Sequence, residues 1–305
     1  MRGSAPHVEA NAVCCAELPD HYRKVNNNMQ PLRNVILSHR KCSNINTRLV
    51  VGEFNSAIRT RPYSQQVLPD KEEKPGFVNQ VFKNVAPKYD LMNDLMSLYV
   101  HRIWKDYFVS KLNPLPNTKL LDVAGGTGDI AIRFLAKSDQ TSTATICDIN
   151  EHMLNEGRLK HPNNPRLDWV VGDALDLPFE DESFDAYTIA YGIRNVADID
   201  QALAEAHRVL KPGGVFMCLE FSDFKNPLLK KFYERYLLEV LPVMGEIVVG
   251  DYKSYRYLAE SILNFPEQED FRRMIAAAGF KYASYENLMQ GISSIHYGFK
   301  KDLLK

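Results

Sequence analysis

The sequence predicts an α/β fold: a mostly parallel seven-stranded sheet, its last strand antiparallel, with helices on both faces. Three observations carry that expectation. From Pro75 onward, short apolar runs alternate with amphipathic stretches, the pattern of a parallel sheet wound on both sides. A glycine-rich segment, Ala124-Gly125-Gly126-Thr127-Gly128, falls between a strand-like run and a helix-like one. Two late runs, 282–287 and 293–299, are joined by Met289-Gln290-Gly291 and read as a closing antiparallel pair.

In order, the strands read at 119–123, 143–147, 167–171, 186–190 and 215–219, before that closing pair. The glycine-rich loop passes directly into a helical run over 130–136. Asn150 caps the helix that carries Met153 and Leu154. Pro266 opens, and Gly279 ends, a helix whose apolar face holds Phe271, Met274 and Ile275. There is no internal repeat. The longest apolar stretch, 236–249, is broken by Glu239, Pro242 and Glu246 and falls short of a membrane span.

The first 73 residues differ from the rest. Between Pro31 and Gln66 the basic residues Arg33, Arg40, Lys41, Arg48, Arg59 and Arg61 face one acid, Glu53. Leu32, Val35, Ile36 and His39 recur at helical spacing with the charges off that face. An Arg- and Ser-bearing, acid-poor, weakly amphipathic segment has the composition of a mitochondrial transit peptide. A disordered surface tail is the competing reading. Glu9, Glu17 and Asp20 suit a presequence poorly, so Met29 is a second candidate start. The expected organisation is a transit peptide and linker over 1–73 and one catalytic domain over 74–305.

With 45% hydrophobic and 25% charged residues, the chain can bury a sizeable core. A net charge of −1 gives no global attraction to nucleic acid. The five cysteines form no CxxC, and Cys147 and Cys218, each in an apolar run, read as reduced core residues. No His/Cys/Asp cluster has metal-ligand spacing, so no metal is expected.

The glycine loop alone leaves two cofactors open. Gly126, Gly128 and Ala131 satisfy the dinucleotide pattern, with Asp148 placed as a ribose-binding acid. Three features favour a methyl donor. Asp122, at the strand-to-loop junction, suits the ammonium of a methionine moiety and would repel a pyrophosphate. Asp173, in Val170-Val171-Gly172-Asp173-Ala174, stands at the sheet edge near an adenine amine. The segments 177–185 and Leu210-Lys211-Pro212-Gly213-Gly214 bracket the fourth strand and resemble those of Rossmann-like class I methyltransferases, although Asp185 could only start a strand and Pro212-Gly213-Gly214 only turn. The cofactor-binding candidates are then Asp122, Gly126, Thr127, Gly128, Asp148, Asp173 and Ala174, holding S-adenosylmethionine.

Two longer stretches narrow the resemblance. Tyr89-Asp90-Leu91-Met92-Asn93-Asp94-Leu95-Met96-Ser97, continuing through His101 to Trp104, resembles the first signature of the ubiquinone/menaquinone biosynthesis methyltransferases. Arg208-Val209-Leu210-Lys211-Pro212-Gly213-Gly214, continuing to Leu219-Glu220-Phe221-Ser222, resembles the second. Ile189-Ala190-Tyr191-Gly192-Ile193-Arg194-Asn195-Val196 is similar to the family's segment after strand four, and the likeness covers about residues 75–300. The transit-like N-terminus, Leu241-Pro242-Val243-Met244-Gly245 and the stretch from Gly291 to His296 point to the mitochondrial members. That resemblance implies C-methylation of a 2-methoxy-6-polyprenyl-1,4-benzoquinol to its 5-methyl product in ubiquinone synthesis. It also implies peripheral attachment to the matrix side of the inner membrane, a multi-enzyme quinone-synthesis complex and a homodimer. The family's donor positions carry over onto Thr127, Asp148, Asp173 and Ala174. Ala190 departs from the Ser of many bacterial members and loses a hydroxyl, and the family tolerates Asn in place of Asp173. Rival functions are a non-catalytic scaffold of such a complex, a methyltransferase for another lipid and, last, a dehydrogenase.

A sulfonium methyl donor is already electrophilic, so the enzyme must align it with a ring carbon made nucleophilic by phenol deprotonation. Arg194 and Asn195 stand after strand four, on the edge where open parallel sheets bind ligands. Arg194 is expected to stabilise phenolate and Asn195 to orient ring hydroxyls, with Tyr191 and then His101 as base candidates. The structural alternative for Arg194 is an ion pair with an acid such as Asp198. Leu228, Leu229, Phe232, Tyr236, Leu237 and Val240 fall at helical spacing. They are either core or a lid over a prenyl-tail channel, opposite Val85, Tyr89, Met92, Leu95 and Met96.

Overall fold

The computed structural model describes residues 69–301, apart from positions 71, 75, 79, 80, 82–93, 95 and 98. Residues 1–68 of the expected transit peptide and linker, and Val85, Tyr89, Met92 and Leu95, lie outside the described residues.

Helix α1 (Val100–Leu112) leads into β1 (Lys119–Val123), α2 (Asp129–Lys137), β2 (Thr143–Asp148), α3 (Glu151–Lys160), β3 (Leu167–Val171) and β4 (Phe184–Ala190). Then come α4 (Ile199–Val209), β5 (Leu210–Phe221), α5 (Lys230–Arg235), α6 (Leu241–Val249), α7 (Tyr252–Leu263), α8 (Gln268–Ala277), β6 (Lys281–Leu288) and β7 (Ser293–Phe299). The seven strands form one sheet in the order β3-β2-β1-β4-β5-β7-β6. Only β7 runs against its neighbours, pairing antiparallel with both β5 and β6. The expected topology and the central stretch of every expected strand are therefore observed.

The chain winds outward from β1 through β2 to β3, then returns to lay β4 on the other side of β1. This reversal parts the connections at the carboxyl ends of β1 and β4 and opens a crevice there. Covered on both faces, the central strands are mostly apolar: Leu120, Leu121, Ile146 and Ile189 have no exposed surface. Asp122 interrupts them and stands in register with Thr188 on β4. Phe271 and Ile275 seat α8 with no exposed surface, each contributing about 1.5–3 kcal/mol by burial.

Local chemistry sets the boundaries. Asn150 caps α3 as expected, its side chain accepting from Met153 N–H, and Asp198 caps α4 through Gln201 N–H. Two boundaries differ from expectation. Pro266 stands one residue before the Glu267 cap of α8, so it precedes that helix and does not open it. Pro212-Gly213-Gly214 is no free turn: it lies inside β5, where the register with β4 jumps from Phe184–Leu210 to Ala186–Val215, and Gly213 N–H donates to the Lys300 carbonyl. Asp185 has a structural role, accepting from Lys119 N–H at 2.9 Å and from Lys211 Nζ at 2.7 Å. Cys147 and Cys218 are free and buried.

The stretch 236–249 is a π-helical turn, Tyr236–Val240, followed by α6. Among the described residues no helix is long and apolar enough to cross a membrane. Core packing fails for part of the neighbouring apolar set: Leu228, Leu229 and Phe232 are 82%, 51% and 72% exposed, while Leu237 packs with Leu241, Tyr255, Ala259 and Ile262.

Candidate functional site

The crevice holds a cavity walled by the ends of β1, β2, β3 and β4, with the carboxylates of Asp122, Asp129, Asp148 and Asp173 on its lining. The β1 loop turns back on β2, with Gly126 N–H donating to Asp148 Oδ2 and Asn150 N–H to Asp148 Oδ1, both at 2.8 Å. Burial pushes the Asp148 carboxyl up, and these two donors pull against it. Each oxygen keeps acceptor capacity for a further hydroxyl. Thr127, Asp173 and Ala174 line the same cavity, and Asp173 Oδ1 accepts from Leu175 N–H at 2.9 Å.

Asp122 is fully buried at one wall. Its Oδ1 accepts from Thr188 Oγ1 at 2.8 Å, and its buried Oδ2 meets no hydrogen-bond partner. Burial, opposed by the Thr188 hydrogen bond, raises this carboxyl to about 7. A buried carboxylate oxygen left unsatisfied costs about 1–3 kcal/mol or more, which a cationic donor recovers. That orphan oxygen, beside hydroxyl-ready Asp148, fits the ammonium and ribose of S-adenosylmethionine. A dinucleotide would bring a pyrophosphate where Asp122 stands.

The structure thus brings Asp122, Gly126, Thr127, Asp148, Asp173 and Ala174 together. It does not bring Gly128. That residue caps α2 at φ 81°, and a Cβ there would stand 2.8 Å from Trp169 Cη2, so its glycine serves packing, outside the cavity wall. Gly192 is an added requirement: its Cβ would lie 2.5 Å from Ala124 Cβ, where the ends of β1 and β4 meet. Ala124 and Tyr191 at that meeting have φ of 50° and 56°, strain of the kind found at ligand clamps.

A second, apolar cavity of about 630 Å³ adjoins the first. Trp104, Phe221, Tyr233, Tyr236, Leu237 and Met244 line it, so the π-helical turn forms part of its wall. Met96 also lines it, and its carbonyl accepts from Tyr236 Oη at 3.4 Å. The two cavities share Lys105, Tyr191 and Asn195.

Tyr191 Oη lies 3.2 Å from Ser293 Oγ, and Asn195 Oδ1 accepts from Tyr257 Oη at 3.1 Å. Arg194 is buried in the apolar cavity wall, where Nη1 donates to Glu220 Oε1 at 2.7 Å and to the Tyr191 carbonyl at 2.6 Å. Its guanidinium lies 5.4 Å from the Phe221 ring centre. The acid beside it is Glu220, not Asp198, which caps α4. Lys74 Nζ ties down the turn by donating to the Arg194 and Val196 carbonyls. His101 Nδ1 sits 2.6 Å from Ser97 Oγ, and burial, reinforced by Lys105, lowers its pKa to about 4. It is a neutral packed histidine and a weak base.

Sequence reasoning missed three of these residues. Glu220 sits inside the second signature, and a lone acid in an apolar strand was the available signal. Lys105 follows Trp104 directly, one helical turn after His101. Tyr257 carries no sequence signal, since its contact with Asn195 spans 62 positions. Among the described residues, no three His, Cys, Asp or Glu side chains gather as a metal site.

Comparison with known proteins places these features. A Mus musculus protein named 2-methoxy-6-polyprenyl-1,4-benzoquinol methylase, mitochondrial, is 53% identical over 75% of this chain and 81% of its own. The Dictyostelium discoideum protein of the same name is 44% identical over 91% of this chain and 99% of its own. Among solved structures, a SAM-dependent methyltransferase from Thermotoga maritima superposes with TM-score 0.51 at 23% identity, covering 73% of this chain and 99% of its own. The [4+2]-cyclase SpnF superposes with TM-score 0.50 at 17% identity over 65% of this chain and 80% of its own. These structures share the fold, and a cyclase among them shows that the fold alone does not name the reaction. The sequence does more: a family model matches residues 67–300, from before α1 to the end of β7, and the chain belongs to the ubiE/COQ5 methyltransferase family.

Proposed function

We propose that this chain transfers a methyl group from S-adenosylmethionine to a ring carbon of a 2-methoxy-6-polyprenyl-1,4-benzoquinol, forming the 5-methyl product in ubiquinone synthesis. One observation carries the reading: a cavity whose carboxylates Asp122, Asp148 and Asp173 suit the donor opens beside a 630 Å³ apolar cavity suited to a prenylated ring, and the two share one wall. The relatives' names supply the acceptor.

S-adenosylmethionine, when bound, supplies an electrophilic methyl group; positioning is the work of the chain. Asp148 holds ribose hydroxyls, the Asp173–Ala174 edge meets adenine, and Asp122 takes the ammonium. Asn195, its Oδ1 occupied by Tyr257, has its amide nitrogen left to donate to a ring oxygen. Tyr191 closes the shared wall. Arg194 acts here as a positioning residue: its charge is matched by Glu220, and its Nη1 holds the Tyr191 carbonyl.

The names of the relatives and the acid-poor N-terminal segment support delivery to the mitochondrion, with cleavage near Pro62 or Tyr63. A prenyl tail resides in a bilayer, which favours peripheral attachment to the matrix side of the inner membrane, within a quinone-synthesis complex. Exposed Leu228, Leu229 and Phe232, just before the cavity-lining Tyr233 and Tyr236, support that attachment.

The test supplies purified protein with methyl-labelled donor and the quinol, and profiles lipid quinones in cells lacking the chain. Label on the ring, with the unmethylated quinol accumulating in the cells, is the expected result. Labelling of a different lipid and none of the quinol would overturn the reading.

A further inference from the structure

Methyl transfer must occur where the donor and acceptor cavities meet, and three side chains wall both cavities: Lys105, Tyr191 and Asn195. Lys105 is the one cation among those three. We infer that Lys105 is a catalytic residue that holds the deprotonated ring hydroxyl of the acceptor while the neighbouring carbon is methylated. The inference rests on the proposed reaction and adds to it the group that supplies charge.

The reaction requires such a group. A phenol gives up its proton to water, and the phenolate pushes an electron pair onto the adjacent ring carbon. That pair forms the new C–C bond, the donor's C–S bond breaks with its electrons left on sulfur, the ring hydrogen leaves as a proton, and the oxygen, a phenolate again, takes one proton back from water. The sum is a methylated ring, a thioether and one proton. A cation beside the oxygen stabilises the charge on which the sequence depends, best in a site poor in water.

Among the described residues two permanent cations line the acceptor cavity, Lys105 and Arg194, and their partners decide between them. Arg194 is held by Glu220, which has no exposed surface, so turning Arg194 toward a substrate would strand a buried carboxylate. Lys105 Nζ is held by Asp129 Oδ2 at 2.8 Å, and the Asp129 side chain is 42% exposed. Asp129 also has a second cation, with Arg133 Nε at 2.8 Å from Oδ1. Burial would raise the Asp129 carboxyl, yet Lys105 and Arg133 hold it at about 2. Lys105 can therefore turn from Asp129 to a ring oxygen while Arg133 and solvent keep that carboxylate satisfied. A lysine ammonium on a flexible stem suits the movement. The other groups at the junction do not compete as a charge: His101 is neutral, and Asn195 and Tyr191 bring only dipoles.

The test compares wild type with Lys105→Met and Lys105→Arg in turnover of the quinol, donor affinity by calorimetry, melting temperature, and the pKa of para-nitrophenol bound in the acceptor cavity, read by absorbance. The wild type should lower the pKa of the bound probe. Lys105→Met should lose that effect and roughly a hundred- to a thousandfold of turnover, as for one preorganised donor to an oxyanion. Donor affinity should stay within about threefold, and Lys105→Arg should recover part of both losses. An unchanged probe pKa in Lys105→Met would overturn the assignment. So would a loss of donor affinity with full turnover at saturating donor, which would make Lys105 an anchor for the donor's carboxylate. Should Lys105→Met not fold, the double variant Lys105→Gln/Asp129→Asn removes cation and counter-charge together and takes the same measurements. A wild type that ignores the quinol would defeat the proposed reaction, and the probe titration would still decide the role of Lys105.

Discussion

Arg194 Nη1 donates to Glu220 Oε1 at 2.7 Å, and both side chains are shut away from solvent. Removing one member of such a pair leaves the other as an uncompensated buried charge, at about 3–5 kcal/mol. Arg194→Leu should therefore lower the melting temperature strongly, which separates Arg194 from a group that acts only in chemistry. The loss should depend on pH. Burial already raises the Glu220 carboxyl, against the pull of Arg194, and losing Arg194 raises it further. A raised carboxyl contributes stability that is full below its unfolded value and is lost as pH rises through its folded value. The deficit of the variant should thus narrow in acid, where Glu220 is protonated. Thermal melts across that range check it; a constant deficit would point to lost packing against Phe221 instead.

Asp122, at about 7 and with Oδ2 unpartnered, makes donor binding pH-dependent. A cationic ligand needs the carboxylate, so affinity should rise as pH goes from 6 to 8, and binding below about 7 should release a proton. Without ligand the sign for stability is opposite. The folded pKa lies above the unfolded one, so the contribution of this group is full below about 4 and is lost as pH rises through about 7. Asp122→Asn should flatten both dependences. Calorimetry in buffers of different ionisation heat counts the proton, and an undiminished proton release in the Asn variant would remove Asp122 from the donor site.

Asp148 accepts Gly126 and Asn150 N–H groups and, on the proposed reading, two ribose hydroxyls. Asp148→Ala should weaken the donor by about 2–3 kcal/mol, as for hydrogen bonds to a charged group. That corresponds to roughly thirty- to a hundred-and-fiftyfold in Kd. Calorimetric titration checks it. Unchanged affinity in a folded variant would leave Asp148 as a loop clasp only.

The strands were legible because parallel, doubly covered strands are written as short unbroken apolar runs, and the donor loop because a tight turn at a strand end demands glycine. What escaped depends on distance in sequence. A local acid, Asp198, looked like the partner of Arg194, but β5 lies beside β4 in the sheet and delivers Glu220 from 26 residues away. Gly128 fits a cofactor pattern by spacing, yet Trp169 from β3 explains it by packing. Helical periodicity marked Leu228, Leu229 and Phe232 as one apolar face with Leu237, but the winding changes at Tyr236–Val240, and only the later residues turn inward. Lys105 follows Trp104 in the sequence, but its place at the junction shows only in the fold, where it lines both cavities.

The apolar cavity allows a separation of tail from ring. Met244 lines it from α6 and is partly buried, so Met244→Trp has open space to fill and should leave the fold intact. If the prenyl tail lies there, the indole displaces part of it. Exclusion of about three methylene-sized groups costs about 2 kcal/mol at ~0.8 kcal/mol each. KM for a long-tailed quinol should then rise by roughly thirtyfold, while a tail-less quinol, already deprived of that contact, should change by less than about threefold. Donor affinity should not move, since Met244 does not line the donor cavity. Steady-state kinetics on the two acceptors decides the matter. Equal losses for both would place the ring rather than the tail against Met244, and equal retention would put the tail outside this cavity.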